Sequence, residues 1–458
     1  MPINSFENYP MTWKPKLDKT TRSLYLSLAK QLEADIQNGV LLPGTKLPPQ
    51  RELADYLDVN VSTISKAFKQ CELKGLLSAT VGSGTFVSYD ALYSGNLMVR
   101  HEKEIIINMG PTSPEQSGND ILLKMAQELL NEPTAKRLFS YYAPGADEWQ
   151  KGAAVRLMEY CGHTTQHDKI LFASGGQNAL TAVLAAVFHK GDKIAVDNHT
   201  YPGIKTAAAM LGLQLFPVPG NEEGIDVCAL ETVCKDEKIR GLYVIPACHN
   251  PTAAVMSKEK RKKIAEIVDK CGCILIEDGT YQILSKGERS ISNSVPEQSI
   301  YILSLSKGIA PGLRLAYVSV PAKWKQKTED ALYSLNVATS PLMSELAARI
   351  IVSGQFEDIL RQHRKHTKER NRIVDDYLGK EYCLGNDDSI FRWLHLPLKY
   401  TGAEFEKLAL AKGVQVFGAE RFAVGNTPPE RAVRLAICVP DTLDELKQGL
   451  KIIFALIK

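Results

Sequence analysis

The sequence predicts an α/β protein in two parts: a small N-terminal domain of helices with a hairpin, and a large domain built on a mostly parallel sheet. Near the N-terminus, leucines recur at four-residue spacing, the period of one buried helix face. Seven short apolar runs then alternate with helix-like stretches, which is typical of a parallel sheet covered on both faces. Long helices and a few strands follow, and they predict a smaller α+β lobe over about 342–458.

Composition excludes several classes of protein. The chain has 458 residues with a formal charge of only +3, so a DNA-binding claim depends on local pattern. Its nine cysteines are scattered without a Cys-x-x-Cys pair, which argues against a disulfide framework or structural zinc and is consistent with a reducing cytoplasm. The N-terminus lacks an apolar signal region, and no stretch approaches the ~20 apolar residues of a membrane span. We therefore expect a cytoplasmic protein with no metal site.

The first 88 residues predict three helices and a hairpin. Residues 1–19 are polar and mixed, and we expect a loosely ordered arm there. After Thr20, one helix face is marked by Leu24, Leu28, Leu32 and Ile36. Further helices are expected over Pro49–Leu57 and Val61–Lys74, then two short strands in LLSATVGSGTFVS. This order predicts a winged helix-turn-helix over residues 20–88, followed by a polar linker over 89–104.

A winged helix places its third helix in the major groove of DNA, while the turn and the wing hold phosphates. The candidate DNA contacts are Arg51, Ser62, Thr63, Ser65, Lys66, Lys69, Gly82 and Ser83. Residues 1–88 hold ten Lys and Arg against eight Asp and Glu, so one domain alone should bind DNA weakly and a dimer would help. A winged helix that serves as a protein-interaction module is the alternative.

The segment from PGTKLPPQRELADYL to GSGTFVS resembles the DNA-binding domain of GntR-type regulators. It shares their Leu-Pro-x-x-Arg-x-Leu-Ala run, the Leu-x-x-x-Gly helix end and the Gly-x-Gly-Thr-Phe-Val wing. It departs from the family at Asn60-Val61, where an arginine is frequent, and at Ser83, where the wing often carries arginine. Family rules for operator sequence therefore do not transfer to this chain.

Four motifs in the large domain carry polar groups at the ends of apolar runs. In FASGGQNAL a strand ends in glycines before a helix, which directs backbone N–H groups at an anion and makes Gly176 and Gln177 candidate phosphate donors. In IPACHNPT, Asn250 follows a strand, so that its amide can point into a cleft. On local pattern alone, an ordinary strand-to-helix turn is the better explanation of the first motif, and a turn-forming Asn-Pro is a common alternative for the second.

The other two motifs carry charge. In CILIEDGTY, Asp278 lies at the carboxyl end of a buried strand, where it can pair with a pyridinium nitrogen, and Tyr281 can reach a phenolic oxygen. In ILSLSKGIAPGLR, Lys307 follows a buried strand, where burial would lower its pKa and favour a Schiff base. A helix-capping aspartate and an exposed loop lysine are the alternatives.

Further residues complete the set of groups that pyridoxal phosphate needs. Three phosphate-binding candidates flank the lysine, namely Ser304, Ser306 and Arg314. Tyr201 follows another strand and could stack on an aromatic ring, although a plain loop tyrosine fits the pattern as well.

From about Ile105 to Lys458 the chain resembles fold-type I aminotransferases, with Ser-Gly-x-Gln, Asn-Pro-Thr, Asp-x-x-Tyr and Ser-x-Ser-Lys…Arg in order. The resemblance implies that Lys307 binds pyridoxal phosphate covalently, that Asp278 pairs with the ring nitrogen and that Tyr201 stacks on the ring. It also implies that Arg434 binds a substrate carboxylate. Ala253 and Gly279 depart from the family pattern, on the substrate side rather than at a cofactor contact.

A GntR-type winged helix joined to an aminotransferase-like domain over 105–458 resembles the MocR-type regulators. The resemblance implies a homodimer that binds double-stranded DNA and senses pyridoxal phosphate or a small amine or amino-acid effector. A working aminotransferase with an accessory winged helix is the first alternative. A structural dimer with an inactive pocket is the second, and it conflicts with the intact set around Lys307.

Overall fold

The computed structural model of the protein describes residues 11–17, 23–80, 84–89, 91, 106–140, 147–285 and 288–458. Two of the predicted DNA contacts, Gly82 and Ser83, lie outside the described residues, as does most of the predicted linker. The fold is α/β, as the sequence predicts. Within the described part of the chain, no helix combines the length and the apolar character needed to cross a membrane.

The N-terminal domain is a winged helix-turn-helix, as predicted. Its elements are α1 (Leu24–Gln37), α2 (Gln50–Leu57), α3 (Val61–Leu73) and the antiparallel strands β1 (Leu77–Thr80) and β2 (Gly84–Val87). Asn60 caps α3, because its side-chain oxygen accepts a hydrogen bond from the backbone N–H of Ser62 (2.8 Å). The core joins α1 and α3 through apolar side chains that include Leu28, Leu32, Ile64 and Phe68.

The expectation of a loose N-terminal arm is wrong for residues 11–17. Trp13 is only 3% exposed and packs into the core of the winged helix. Its indole N–H donates a hydrogen bond to a carboxylate oxygen of Asp35 on α1 (2.8 Å). The mostly polar composition of the segment gives no indication of this contact. One large apolar side chain with one distant partner is enough to order residues 11–17.

The large domain is built on a seven-stranded sheet in the order β4-β12-β11-β10-β9-β5-β6. Its strands are β4 (Ile170–Ala173), β5 (Lys193–Asp197), β6 (Gln214–Val218), β9 (Gly241–Val244), β10 (Ile274–Asp278), β11 (Ser299–Ser304) and β12 (Ala316–Ser319). Among these seven, β12 is the strand that runs antiparallel to its neighbours. A short hairpin stands beside the sheet, formed by β7 (Gly220–Asn221) and β8 (Gly224–Ile225).

Helices cover the sheet and connect its strands. They are α4 (Asn119–Leu130), α5 (Glu148–Tyr160), α6 (Gly176–Val187), α7 (Pro202–Leu211), α8 (Val227–Asp236), α9 (Lys258–Cys271) and α10 (Ala322–Asn336). The helices α11 (Pro341–Val352) and α12 (Gln355–Leu378) lead into the small lobe. The helices begin and end where local chemistry requires it: α7 begins with Pro202, and α9 is followed by Gly272 at positive φ.

The C-terminal lobe is α+β. Its four-stranded antiparallel sheet has the order β13-β14-β17-β16, formed by β13 (Cys383–Leu384), β14 (Arg392–His395), β16 (Phe417–Gly418) and β17 (Ala432–Leu435). The segment VQVFG, which the sequence predicts as one strand, divides at Val416, so that β15 (Val414–Gln415) pairs with β3 (Ile107–Asn108) instead. The helices of this lobe are α13 (Gly402–Ala411) and α14 (Leu443–Ile457).

The sheet topology places the predicted site residues at one edge. Strands β5, β9, β10 and β11 run parallel to one another. Strand β4 runs in the same direction, because β12 pairs antiparallel with both β4 and β11. The loops that follow the carboxyl ends of these five strands therefore lie on the same side of the sheet. Ligands of α/β sheets bind at that side.

Candidate functional site

The turn between β4 and α6 forms an anion cradle. Gly175 has φ +97°, and an added side chain there would collide with the guanidinium of Arg314. The helix begins at Gly176, so the backbone N–H groups of its first turn have no partner within the helix. The side chain of Gln177 donates to the carbonyl of Gly203 (2.8 Å), which leaves its backbone N–H as the group available to the cradle.

The opposite wall of the cradle comes from the loop after β11. Arg314 donates to the hydroxyl of Ser306 (3.4 Å), and the backbone N–H of Ser306 donates to the hydroxyl of Ser304 (3.3 Å). A Cβ on Gly176 would lie 3.1 Å from that of Ser304, so the two walls are close. Within the described ranges no carboxylate pairs with Arg314, and the cradle therefore carries net positive charge suited to a phosphate.

Asp278 ends β10 with a half-buried carboxylate. Tyr243 donates a hydrogen bond to one oxygen (2.8 Å) and the backbone N–H of Thr280 to the other (3.0 Å). Burial raises the pKa of Asp278 above its ordinary value in spite of these hydrogen bonds. Since no Lys or Arg of the described chain forms an ion pair with it, this carboxylate suits a cationic ring nitrogen supplied by a ligand.

Lys307 lies directly beyond β11 with its amine turned inward. The amine donates to the backbone carbonyl of Thr112 (2.6 Å), and the described residues give it no carboxylate partner. Burial, together with the positive charges of Arg434 and Arg314, lowers the pKa of Lys307 to about 8. With a pKa of about 8, a minority of the amine is neutral near physiological pH, far more than for an ordinary lysine, and the neutral form is the one that attacks an aldehyde.

Asn250, Tyr281 and Arg434 form a hydrogen-bonded chain beneath the pocket. Arg434 donates to the side-chain oxygen of Asn250 (2.6 Å), and the amide nitrogen of Asn250 donates to the hydroxyl of Tyr281 (3.4 Å). Arg434 is fully buried between three aromatic rings, with Phe422 the nearest at 4.8 Å. Burial lowers the pKa of Arg434 to about 10, a desolvation that a bound carboxylate would relieve.

Tyr201 caps the start of α7 beside this group. Burial raises its pKa to about 12, and the charge of Asp278 acts in the same direction. The positive charges of Arg314 and Arg434 act in the opposite direction. The ring lies beside the cradle, since a Cβ added to Gly203 would collide with both the Tyr201 ring and the side-chain oxygen of Gln177. The fold therefore brings the sequence-predicted pocket residues together around one site.

The candidate DNA surface is the outer face of α3. Ser62, Lys66 and Lys69 are exposed along one stripe, since they are spaced at helical period. Lys69 pairs with Glu72 (3.1 Å), so its charge is partly engaged. The remaining described candidates differ: Arg51 is exposed on α2, whereas Thr63 and Ser65 are half-buried and Ser65 bonds to Gln50.

Comparison with known proteins places this arrangement in a family. Residues 106–450 match the family described as aminotransferase class I and II, and residues 24–87 match the bacterial regulatory proteins of the gntR family. The chain is 54% identical over 454 residues to YdeF of Bacillus subtilis, an uncharacterized HTH-type transcriptional regulator, covering 99% of this chain and 98% of that protein. The chain belongs to the MocR-type regulators, GntR-type proteins with an aminotransferase class I and II domain.

More distant relatives agree with the architecture. YjiR of Escherichia coli, also an uncharacterized HTH-type transcriptional regulator, is 24% identical over 408 residues, which is 81% of this chain and 86% of that protein. The α-aminoadipate aminotransferase LysN of Thermus thermophilus, solved with N-(5'-phosphopyridoxyl)-L-leucine, superposes with a TM-score of 0.70. It is 23% identical and covers 80% of this chain and 97% of that one, so it shows the fold of the large domain.

Several residues of this MocR-type pocket were missed by the sequence analysis. The carbonyls of Gly110 and Thr112 accept hydrogen bonds from Arg434 (2.8 Å) and Lys307 (2.6 Å), but a backbone carbonyl leaves no residue-type signature. Tyr243 lies within a buried strand, where an aromatic residue is read as core. The hydrogen bond from its hydroxyl to Asp278 can be recognised only when the pairing of β9 with β10 is known.

Proposed function

We propose that this chain is a cytoplasmic transcriptional regulator that binds duplex DNA through its winged helix and pyridoxal phosphate through Lys307. In this proposal an amine or amino-acid effector is sensed in the same pocket. The observation that carries it is a half-buried amine and a half-buried carboxylate, to which no described residue gives a partner of opposite charge. They are the low-pKa amine of Lys307, beyond β11, and the carboxylate of Asp278, at the end of the neighbouring parallel strand β10.

The residues of the pocket fit pyridoxal phosphate group by group. The phosphate would be held by the backbone N–H groups of Gly176 and Gln177 and by the side chains of Ser304, Ser306 and Arg314. The ring would be held by Asp278 at its nitrogen, by Asn250 and Tyr281 at its phenolic oxygen and by Tyr201 across its face. When bound, the group supplies an aldehyde that condenses with amines and a ring that withdraws electrons.

The protein side chains have separate tasks in this scheme. Lys307 supplies a neutral amine, because its pKa is held near physiological pH. Asp278 would stabilise positive charge at the ring nitrogen from its half-buried position at the end of β10. Arg434 would bind the carboxylate of an amino acid with its planar guanidinium, which distinguishes amino acids from simple amines.

DNA recognition is assigned to the exposed stripe of α3 with Arg51 on α2. The net charge of the N-terminal domain is small, so we propose a homodimer that presents two winged helices to one duplex. An effector can change DNA affinity only if it binds one arrangement of the two domains better than another.

The decisive experiment compares Lys307→Ala with the native chain after incubation with pyridoxal phosphate. We expect the native protein to acquire the visible absorbance of the lysine-bound cofactor and, after borohydride reduction, a stable mass increase of one cofactor. The Lys307→Ala variant should show neither, whereas Lys190→Ala, at an exposed lysine, should behave as the native chain. Native protein that is folded and yet remains colourless would contradict the proposal.

An aminotransferase activity is the competing function, and the completeness of the pocket favours it over a purely structural role. A turnover assay with amino acids and a keto-acid acceptor separates the two functions. Sustained turnover of order 1–10³ per second would identify an enzyme. A single half-reaction, or none, together with DNA binding supports the regulator.

A further inference from the structure

One loop of the large domain contacts the pocket at its beginning and the winged helix at its end. Loop 422–426 begins at Phe422, whose ring centroid lies 4.8 Å from the guanidinium carbon of Arg434. Further along the loop, the carbonyl oxygen of Gly425 accepts a hydrogen bond from the backbone N–H of Tyr89 (2.8 Å). Tyr89 follows closely after β2, so a few residues separate the proposed carboxylate site from the DNA-binding domain.

The same loop is fixed to the cofactor side of the pocket. The backbone N–H of Thr200 donates to the carbonyl of Phe422 (2.8 Å), and that of Val424 donates to the carbonyl of Asn198 (3.0 Å). These bonds form a short ladder that ends next to Tyr201, the residue proposed to stack on the cofactor ring. A change at either Tyr201 or Arg434 therefore reaches the loop through one residue.

At its other end the loop meets strand β1 and the residues that follow β2. The hydroxyl of Ser88 donates to the carbonyl of Gly425 (3.4 Å), and a Cβ added to Gly425 would lie 3.3 Å from the hydroxyl of Ser78 on β1. Gly425 has φ +62°, a conformation that favours glycine. Burial raises the pKa of Tyr89, and the charge of Glu420 adds to this.

A cleft beside these contacts leaves room for the two domains to move. Its volume is about 640 Å³, and its lining includes Lys69 of α3, Leu77 of β1, Pro217 of β6 and Asn426 of the loop. The hydrogen bonds at Gly425 therefore hold a seam that is only partly packed. Because Lys69 belongs to the exposed stripe of α3, a shift at the seam would move the proposed DNA-reading face.

We propose that loop 422–426 transmits the state of the pocket to the winged helix. A ligand that engages Arg434 moves Phe422, the movement changes the Gly425–Tyr89 contact, and the position of α3 changes with it. The inference rests on the proposed function, whose effector must alter the DNA-binding domain. By linkage, the same loop lets bound DNA change the affinity of the pocket for its ligand.

The test uses N-(5'-phosphopyridoxyl)glycine as the probe, because it carries phosphate, ring and carboxylate in one molecule. Its binding is measured by calorimetry, and hydrogen exchange of the Tyr89 amide is followed in the full chain. In the native protein we expect the probe to change this exchange rate by about fivefold or more. In Phe422→Leu, saturating probe should leave the exchange rate of the Tyr89 amide nearly unchanged.

Phe417→Leu is the matched control. Its ring also faces Arg434, at 5.6 Å, but it belongs to β16 and not to the loop, so this variant should keep the exchange response. An undiminished response in Phe422→Leu, or an equal loss in both variants, would overturn the proposal. If the probe binds and the exchange rate of Tyr89 does not change, the proposal for the loop is wrong and the proposed function is unaffected. If the probe does not bind, the proposed function is wrong as well.

A crosslink provides a second test that leaves the pocket intact. Cysteines introduced as Ser78→Cys and Gly425→Cys lie close enough to form a disulfide across the seam. The oxidised protein should bind the probe without the exchange response at Tyr89, and reduction should restore it. Each single variant controls for reaction with the native cysteines, and Gly425→Cys also controls for the strain of a side chain at positive φ. A full response in the oxidised double variant would contradict transmission through this seam.

Discussion

Arg434 donates a hydrogen bond of 2.6 Å to the side-chain oxygen of Asn250 within an aromatic surround. Its second terminal nitrogen donates to the carbonyl of Gly110 (2.8 Å), while the Nε atom has no partner in the described part of the chain. Because Asn250 also donates to Tyr281, one amide connects the arginine to the phenol. A ligand carboxylate would compensate the buried charge that neutral partners leave unpaired.

Arg434→Lys should weaken the binding of amino acids by about 10- to 100-fold, because a lysine cannot reproduce a planar charged fork. An amine with the same side chain but no carboxylate should lose much less. The measurement is a spectral titration of the protein loaded with pyridoxal phosphate. Arg431→Lys, at an exposed arginine nearby, is the control. Equal losses for the amino acid and the amine would argue against carboxylate binding at Arg434.

The uptake of pyridoxal phosphate should depend on pH through Lys307. Burial and two positive neighbours lower the pKa of this amine to about 8, and only the neutral form is a nucleophile. The uptake rate should therefore fall roughly tenfold for each pH unit below about 8 and level off above it. Arg434→Gln removes a positive charge, raises the pKa of Lys307 and should move the midpoint to higher pH. A midpoint that does not move would exclude this electrostatic contribution.

The groups that the fold brings together around Lys307 could be proposed from the sequence because they occupy special places in the chain pattern. Asp278 and Lys307 each end an apolar run, and the glycines at 175 and 176 lie where a helix begins, so strand ends and helix starts identify them without a structure. The parallel order of β10 and β11 then brings the two charges to one edge.

The contacts that the sequence could not predict join residues that are far apart in the chain. They are made by groups, such as backbone carbonyls and core aromatic rings, that leave no recognisable sequence pattern. The carbonyl of Thr112 meets Lys307 across 195 positions, and Phe422 resembles any core aromatic until Arg434 is found beneath it. Trp13 was hidden in the same way, since its partner Asp35 lies on a different element. Tertiary packing, rather than local preference, decides each of these contacts.

Trp13→Ala should destabilise the winged helix by about 3–5 kcal/mol, as truncation of a buried tryptophan does. The variant loses apolar packing in the domain core and leaves Asp35 without its indole partner. Urea unfolding monitored by circular dichroism should show an early transition of the N-terminal domain. Leu42→Ala changes a leucine that is 61% exposed and should leave that transition in place. Unchanged stability in Trp13→Ala would show that the segment contributes nothing in solution.

Lys66→Gln tests the DNA surface through its salt dependence. If Lys66 contacts a phosphate, its removal should weaken binding to a random-sequence duplex and reduce the slope of log affinity against log salt by about one per bound winged helix. Lys30→Gln makes the same charge change at an exposed position of α1, outside the stripe on α3, and should keep the native slope. Fluorescence anisotropy over a range of salt concentrations gives both slopes. If both variants reduce the salt slope by the same amount, binding follows net charge and the stripe on α3 has no special role. If only Lys66→Gln reduces the slope, α3 lies against the duplex.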